Sequence, residues 1–251
     1  MNTMKNYPFI LSFAVIPFSV LFASGGKTVK RPTVLILLAD QHNKKVMSFE
    51  QHPDVITPNL DKLAAQSVIF DRAYCVAGIS APSRSALMSG LYPRTMGLLS
   101  NGEKTTVIRD AVSLASIFKE NGYATYAFGK RHTSGGIDEG WDVSRSHICR
   151  ESSGEGYDVW IQEHGLNREF AMDWGAEFGR GPDCSGGDKI KVPTGDLGTR
   201  LSQLPPEYTM EAYTAKNTIE MIKSHAHNKQ PFFCWATFYH PHQPYTPQKK
   251  Y

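Results

Sequence analysis

The sequence predicts an α/β fold with a largely parallel, mixed sheet flanked by helices. Apolar runs rich in β-branched and aromatic residues occupy positions 34–38, 123–128 and 231–239, and they predict buried strands. Amphipathic segments at 112–121 and 207–225 precede the second and third runs and predict helices. This alternation is typical of α/β folds, because a helix carries the chain back to the start of the next parallel strand.

The first strand and the first helix follow from residues near the amino terminus. We expect the run 34–38 to be buried on both faces, because it is apolar without interruption. Thr57 followed by Pro58 predicts a helix start, since threonine is a common N-cap residue and proline suits the first turn. The spacing of Leu60 and Leu63 predicts that these side chains face the core.

The remaining elements are predicted in the same way. Residues 68–70 resemble a short strand, and Pro82 suits the first turn of a second helix that Gly90 would end. Residues 134–206 are rich in glycine, serine and aspartate, and we expect a long insertion of loops and short elements there. The whole of 26–251 is predicted to be part of one catalytic domain.

Composition and charge exclude several classes of protein. The 251 residues are 41% hydrophobic and 20% charged, which is ordinary for a globular protein. The formal net charge is +3 with cations and anions interspersed, so no nucleic-acid partner is expected. The four cysteines are widely spaced and allow three pairings as two disulfides, among which the sequence does not choose.

The amino terminus predicts export from the cell. Residues 9–23 form an uncharged apolar run that follows Lys5 and is itself followed by small residues. This pattern is that of a secretory signal peptide, which we assign to residues 1–25. The run is shorter than the roughly 20 residues that cross a bilayer, and Pro17 interrupts it, so no stable membrane insertion is expected. We therefore expect the mature protein in the periplasm or outside the cell.

Polar side chains follow each of the three predicted strands. Asp40 and Gln41 follow the first, Lys130 and His132 the second, and His242 the third. The carboxyl ends of strands in an open α/β sheet line the ligand crevice, so these residues are expected to share a site. A carboxylate and an amide side by side offer the oxygen ligands that Ca²⁺ or Mg²⁺ prefers. If the backbone remains extended, Lys130 and His132 point to the same side.

Two longer motifs sharpen this prediction. Residues 80–84 read S-A-P-S-R and are followed by Ser89 and Gly90, and residues 122–132 read G-Y-A-T-Y-A-F-G-K-R-H. Together with Asp40 they resemble, in the same order, the signatures of the type I sulfatases, a branch of the alkaline phosphatase superfamily. The resemblance runs from about residue 31 to the end of the chain, and it implies the fold of that superfamily.

The resemblance also implies a mechanism and roles for five residues. In this family a serine or cysteine at the position of Ser80 is oxidised to formylglycine, whose hydrated form attacks the sulfur of a sulfate ester. Arg84 would hold the formylglycine oxygen, and Lys130 would neutralise the charge of the bound sulfate. His132 would position or deprotonate the nucleophile, and His242 would bind the substrate and protonate or orient the leaving alkoxide.

The sequence departs from the family pattern in three places within the motifs, one of which is Ser89 in place of the usual threonine before Gly90. Ser80 stands where many members have cysteine, which resembles the subset matured by a radical-SAM formylglycine-generating enzyme. Gln41 replaces a commoner aspartate and removes one negative charge from a metal site that would comprise Asp40, Gln41 and the group derived from Ser80. Family members are typically about twice as long, so the chain resembles the N-terminal portion of a sulfatase, short of ligands for Ca²⁺ or Mg²⁺.

Three functions remain open from the sequence. The first is an exported sulfuric ester hydrolase that acts on a sulfated small molecule or glycan, with a carbohydrate favoured by the predicted export and the long insertion. The second is a related hydrolase that uses unmodified Ser80 on phosphate esters. The third is a truncated sulfatase-like domain without activity.

Overall fold

A computed structural model describes residues 31–102, 111–146, 156–178 and 198–250. The expected signal peptide, Cys149 and Cys184 lie outside these ranges. The strands are β1 (Val34–Ala39), β2 (Ala124–Gly129), β3 (Val143–Arg145) and β4 (Phe232–Phe238). The α-helices are α1 (Pro58–Ala64), α2 (Ser80–Ser89), α3 (Pro93–Met96), α4 (Leu114–Glu120), α5 (Tyr157–Glu163), α6 (Asn167–Phe178) and α7 (Met210–His225).

The four strands form one sheet in the order β1-β4-β2-β3, and every pair of neighbours runs parallel. This arrangement confirms the predicted α/β fold with a parallel sheet and flanking helices. Ala39 in β1 and Gly129 in β2 lie beside Phe238 and Thr237 in β4, so three strands end at the same edge of the sheet. Residues Pro32–Tyr251 belong to a single structural unit.

Strand β4 is the centre of the core, because both of its faces are covered. Phe233 and Trp235 lie in a hydrophobic cluster with residues of α2, α3 and α4. Cys234 and Ala236 point the other way, into a second cluster that includes Met221 of α7. A strand buried on both faces and held between two parallel neighbours gives the sheet its rigid middle.

A third cluster joins helices α5, α6 and α7. It contains Tyr157, Phe170, Tyr213 and Tyr239, with Tyr157 completely buried. Much of it comes from the stretch 134–206, which we expected to hold loops and short elements. The described part of that stretch contains a sheet strand and the 12-residue helix α6. It therefore has more regular secondary structure than we expected.

The segment that contains β1 and α1 is less buried than predicted. Leu35 and Leu37 are 38% and 57% exposed, so burial of β1 on both faces is wrong. Leu60 and Leu63 of α1 are also exposed, so the predicted inward stripe of that helix is wrong. Residues 68–70 form no strand. Within the described sheet β1 is an edge strand, and no helix there covers its outer face.

The predicted helix with Pro82 in its first turn and an end at Gly90 is present as α2. It starts at Ser80 and has Pro82 in its first turn, and the chain leaves it through Gly90 with a φ of 71°. The side-chain oxygen of Asn101 accepts a hydrogen bond of 2.9 Å from the backbone N–H of Ala81 and caps the first turn. The helix therefore fixes Ser80 at its amino terminus.

Two further features bear on compartment and redox state. None of the helices in the described part of the chain is long and apolar enough to cross a bilayer. Cys75 is exposed and Cys234 is buried, and both carry free thiols. Burial raises the pKa of the Cys234 thiol to about 12, which makes it unreactive at neutral pH.

Candidate active site

Two strand ends place an ion pair at the edge of the sheet. Asp40 directly follows β1, and its N–H donates to the carbonyl of Phe238 at 3.1 Å. Lys130 directly follows β2, and its N–H donates to the carbonyl of Thr237 at 3.2 Å. The two residues thus flank the end of β4, and Lys130 Nζ lies 2.5 Å from Asp40 Oδ2. The predicted convergence of strand ends is present, and both side chains are largely buried.

Arg84 ties this ion pair to helix α2. Its side chain is 4% exposed, and its guanidinium makes three contacts in different directions. One terminal nitrogen lies 3.2 Å from Asp40 Oδ2, the other donates to the carbonyl oxygen of Lys130 at 2.6 Å, and Nε donates to Ser80 Oγ at 3.2 Å. A planar guanidinium fork can satisfy three acceptors in this way with little freedom of movement.

Ser80 lies at the meeting point of these groups. Its hydroxyl donates to Asp40 Oδ2 at 3.2 Å, and its oxygen accepts from Arg84, which is one helical turn further along α2. His132 Nδ1 lies 3.2 Å from the same oxygen. The structure therefore brings together five of the seven residues that the sequence singled out: Asp40, Ser80, Arg84, Lys130 and His132.

The backbone around His132 differs from the prediction. The condition of an extended backbone is not met, because Gly129 has a φ of 82° and His132 a φ of 46°, yet both side chains reach the same centre. A positive φ is uncommon for a residue with a side chain and is frequent at functional sites, where the surrounding structure holds it. Here the left-handed turn brings the imidazole to Ser80 while Lys130 reaches Asp40.

Gln41 and His242, the other two residues singled out from the sequence, each contact Gln243. Gln41 has a φ of 55°, and its amide donates to Oε1 of Gln243 at 3.3 Å. His242 Nδ1 hydrogen-bonds the carbonyl of Gln243, and its ring lies 4.9 Å from that of Tyr239. The contact between Gln41 and Gln243 therefore links the end of β1 to the segment after β4.

The charges of the centre keep Asp40 ionised. Burial raises the pKa of this carboxyl group, but the hydrogen bond and charge of Lys130 lower it, and Arg84 and His242 lower it further. The net pKa lies below the ordinary value, so Asp40 is a carboxylate at neutral pH. A carboxylate that holds two buried cations in place preserves a positive surface for an anionic substrate.

The site offers the oxygen donors that a hard cation prefers, but fewer of them than such a cation needs. Asp40, Gln41 and Ser80 offer oxygen atoms, which Ca²⁺ and Mg²⁺ prefer. No group of three or more His, Cys, Asp or Glu side chains suited to a metal occurs in the ranges that the structure describes. Asp40 Oδ2 is also contacted by Arg84 and Lys130. These residues could form one side of a cation site, and the other ligands must come from elsewhere.

Two residues that support the centre were not singled out from the sequence. The hydroxyl of Thr237 donates to the carbonyl of Lys130, which also accepts from Arg84. Lys130 Nζ lies 4.7 Å from the centroid of the Tyr239 ring, within cation–π distance. Both residues come at the end of β4, so the rule that strand ends line the crevice could have identified them.

The comparison with known proteins agrees with these motifs. A sulfatase family model matches residues 32–251. A sulfatase of Formosa agariphila is 30% identical over 232 residues, which are 89% of this chain and 42% of that protein. An N-acetylgalactosamine-6-O-sulfatase of Bacteroides thetaiotaomicron is 32% identical over 136 residues, which are 53% of this chain and 26% of that protein.

Solved structures share the fold. A phosphonate monoester hydrolase of Agrobacterium radiobacter aligns with a TM-score of 0.65 and 22% identity over 87% of this chain and 43% of its own. Ps i-CgsB in complex with k-i-k-neocarrahexaose aligns with a TM-score of 0.58 and 23% identity over 85% and 46%. At these identities the likeness concerns the fold alone.

The chain spans less than half the length of these relatives, from 26% to 46% of each. Within that span the two sequence motifs, the parallel sheet and the convergence of Asp40, Ser80, Arg84 and Lys130 agree with one another. The family model covers nearly all of the described residues. The chain belongs to the sulfatase family.

Proposed function

We propose that this protein is an exported sulfuric ester hydrolase that cleaves sulfate esters of carbohydrates through a formylglycine made from Ser80. The strongest support is the position of Ser80 Oγ. It lies 3.2 Å from each of three atoms, Asp40 Oδ2, Arg84 Nε and His132 Nδ1. A serine hydroxyl is a weak nucleophile by itself. Oxidation to formylglycine would supply a hydrated aldehyde, a better nucleophile, at this same position.

The neighbouring cations would bind the sulfate. Arg84 and Lys130 are buried and held in place, so little reorganisation is needed when negative charge develops in the transition state. Ser80 is also the first residue of α2, and the amino terminus of a helix favours anions. We assign Lys130 and Arg84 to charge neutralisation, with Arg84 also orienting the side chain at position 80.

The two histidines would act as proton-transfer groups, one for the nucleophile and the other for the leaving group. His132 is within hydrogen-bonding distance of Ser80 Oγ, which suits a group that positions or deprotonates the nucleophile. His242 contributes positive charge to Asp40 from the segment after β4 and contacts the Tyr239 ring. We assign His242 to substrate binding and to the leaving alkoxide.

A divalent cation, Ca²⁺ or Mg²⁺, would complete the site. Asp40, Gln41 and the group derived from Ser80 would hold one side of it, and the remaining ligands would come from polypeptide that the described residues do not include. When bound, such an ion supplies Lewis-acid polarisation of the sulfate oxygens. The incomplete donor set keeps a second function open, that of a sulfatase-like domain which binds sulfated ligands without turnover.

A carbohydrate substrate is proposed from the relatives. Several carry names of sugar sulfatases, among them the N-acetylgalactosamine-6-O-sulfatase already described and an N-acetylglucosamine-6-O-sulfatase of Bacteroides thetaiotaomicron, 26% identical over 180 residues. We further propose export through a signal peptide at residues 1–25, and a radical-SAM formylglycine-generating enzyme as the maturation partner.

Turnover of 4-methylumbelliferyl sulfate tests this function. The protein in its natural length, produced together with such a maturation enzyme, is expected to release sulfate, and Ser80→Ala is expected to reduce the rate at least about 1,000-fold. Asp71→Asn, which removes an exposed carboxylate paired with Lys44, is the control and should retain most of the activity. Hydrolysis of a phosphate monoester by unmodified Ser80, with no action on sulfate, would favour the phosphatase alternative.

A further inference from the structure

A cavity of about 620 Å³ lies beside the catalytic centre. It is bounded by helices α6 and α7, by residues 202–206 and by the segment 240–250 that follows β4. Its volume is within the range of about 300–1,000 Å³ that is usual for small-molecule sites. No residue of the catalytic centre lines it, so it is a separate feature of the molecule.

The buried Tyr239 connects the lining of the cavity to the catalytic centre through ring contacts. The Tyr239 ring lies 5.4 Å from the ring of Trp174, which lines the cavity, and 4.9 Å from the ring of His242. The same tyrosine ring faces Lys130 Nζ at 4.7 Å. Pro241, the residue just before His242, also lines the cavity. The cavity therefore lies close to the place where the leaving oxygen of a substrate would meet His242.

The lining combines flat apolar surfaces with fixed polar groups. Trp174, Tyr245 and four prolines provide the apolar part, and Pro244 is one of these. Among the polar groups, Asp173 accepts from the Ser202 hydroxyl at 2.6 Å and so has a fixed orientation. Aromatic faces with a few well-placed polar groups are typical of ligand pockets, and they suit a sugar ring with an apolar C–H face and a hydroxyl edge.

Two further groups point to a polar ligand. Glu211 and His240, both in the lining, lie 2.6 Å apart and neutralise each other, so this pair does not attract a second sulfate into the cavity. The Nε2 atom of Gln248 is buried and has no hydrogen-bond partner among the described residues. A buried donor without an acceptor is costly, and a ligand hydroxyl or carbonyl would satisfy it.

We propose that this cavity binds the sugar ring of the sulfated substrate, as a subsite for a neutral hexose or N-acetylhexosamine ring. The inference rests on the proposed function for the identity of the whole substrate, but binding of the ring alone does not require turnover. Trp174 and Tyr245 contact the apolar face of the ring, and Asp173 and Gln248 face its hydroxyl and acetamido groups. The sulfate remains outside the cavity, with Lys130 and Arg84.

Binding of unsulfated sugars tests the subsite without catalysis. Saturation-transfer NMR is performed on the protein in its natural length with N-acetylgalactosamine, N-acetylglucosamine and galactose. We expect saturation transfer to at least one of them, with a signal at least about fivefold weaker in Trp174→Ala, because an aromatic contact contributes about 1 kcal/mol. Trp160→Ala is the matched control, since Trp160 packs on the same aromatic cluster but does not line the cavity.

Because Trp174 also packs against buried residues, Tyr245→Ser provides a variant with less risk to folding. Tyr245 is 43% exposed and lines the cavity, so this change is expected to weaken the signal without unfolding the protein. No transfer to any of the three sugars in the wild-type protein would overturn the proposal. Equal signals in the wild type and both cavity variants would overturn it as well.

A kinetic comparison separates this inference from the proposed function. If the protein cleaves both N-acetylgalactosamine 6-sulfate and 4-methylumbelliferyl sulfate, the ratio of the two kcat/KM values should fall about fivefold in Trp174→Ala and stay unchanged in Trp160→Ala. An equal loss on both substrates would contradict a sugar subsite. A wild-type protein that cleaves neither ester would contradict the proposed function, and the binding experiment would still decide on the cavity.

Discussion

Strands β4 and β1 are neighbours with similar apolar sequences, yet their surroundings differ. In β4 all residues from Phe232 to Thr237 are buried, and helices lie on both sides. In β1 alternate residues are exposed, including Leu35 and Leu37, and the α1 helix that follows has no buried residue. We call the first region the closed side and the second, from β1 to residue 79, the open side.

The catalytic centre lies where these two regions meet. The closed side supplies Lys130, His132 and His242, the groups we assign to the sulfate and to proton transfer. The open side supplies Asp40 and Gln41. Ser80 is the first residue after the open side. The residues proposed for the cation therefore belong to the less covered part of the molecule.

The two parts of the proposed active site therefore differ in how completely the described residues form them. The cations for an anionic substrate are buried and fixed by three strand ends and helix α2. The proposed cation site has ligands from one side alone. The chain spans 42% of the Formosa agariphila sulfatase. The predictions below test this contrast, beginning with the largest expected effect.

Replacement of a glycine by alanine should destabilise the protein strongly on the closed side and hardly at all on the open side. A Cβ atom at Gly129 would lie 1.9 Å from the carbonyl oxygen of Thr237, and its φ of 82° is unfavourable for alanine, so Gly129→Ala should cost at least about 4 kcal/mol or prevent folding. At Gly78, on the open side, a Cβ would meet nothing within 4 Å. Gly78→Ala should change the free energy of unfolding by less than about 1 kcal/mol in urea denaturation. Similar costs at both positions would contradict the contrast.

Removal of a buried carboxylate should cost more than removal of an exposed one. Asp40→Asn leaves the charges of Arg84 and Lys130 buried without their partner, which should destabilise the protein by about 3 kcal/mol and abolish sulfate release. The control is Asp71→Asn, in the same open side as Asp40 but with a side chain that is 81% exposed and pairs with Lys44. Its effect on thermal unfolding should stay below about 1 kcal/mol. An Asp40→Asn variant as stable as the wild type would show that the centre does not depend on this carboxylate.

The Glu211–His240 pair of the closed side should stabilise the protein over a limited pH range. Burial lowers the pKa of His240, but Glu211 raises it, and the net pKa lies above the ordinary 6.5. The stabilisation by protonated His240 is therefore complete below pH 6.5 and is lost as the pH rises through the raised pKa. Burial raises the pKa of Glu211, but His240 lowers it to a net value below 4.5, so that contribution is lost as pH falls through the lowered pKa. His240→Gln should therefore cost about 1 kcal/mol near pH 5.5 and less at pH 9.

Chemical denaturation of the wild type and His240→Gln at the two pH values measures this difference directly. Asp173 faces the same histidine and adds to the effect in the same direction. The control is His227→Gln, on the exposed turn after α7. A penalty for His240→Gln that grows from pH 5.5 to pH 9 would have the wrong sign for this account.

The smallest effect on stability is expected at the outer face of β1. Leu37 is 57% exposed, so Leu37→Lys should change the free energy of unfolding by less than about 0.5 kcal/mol while it reduces self-association, because exposed apolar edge strands promote aggregation. Leu38 points the other way and packs against the core cluster, so Leu38→Lys should unfold the protein. Sedimentation velocity and thermal unfolding measure the two properties. If Leu37→Lys is as damaging as Leu38→Lys, the open side is covered in solution.

Much of the closed side could be predicted from the sequence. The runs that became β2 and β4 are apolar and flanked by amphipathic helices, and local pattern suffices for a strand that is covered on both faces. A helix with Pro82 in its first turn and an end at Gly90 was predicted, whereas its start at Ser80 was not. Because parallel strands end at one edge, the convergence of Asp40 and Lys130 followed from the strand order alone.

The open side was predicted less well, for a physical reason. The run at 34–38 is as apolar as that of β4, and a sequence pattern does not show whether a second face has a partner. The same holds for residues 68–70 and for Leu60 and Leu63, whose apolar side chains lack a surface to pack against in the described residues. The left-handed backbone at His132 was missed because it depends on contacts with Ser80, 52 positions away.

The central claim, that Ser80 is the precursor of formylglycine, is tested most directly by mass spectrometry. Trypsin should release the peptide of residues 73–84, which contains Ser80, from protein produced together with a radical-SAM formylglycine-generating enzyme. The account predicts a peptide lighter than the unmodified sequence by two hydrogen atoms, with the change at Ser80. A peptide that retains an unmodified Ser80 under these conditions would contradict the formylglycine mechanism.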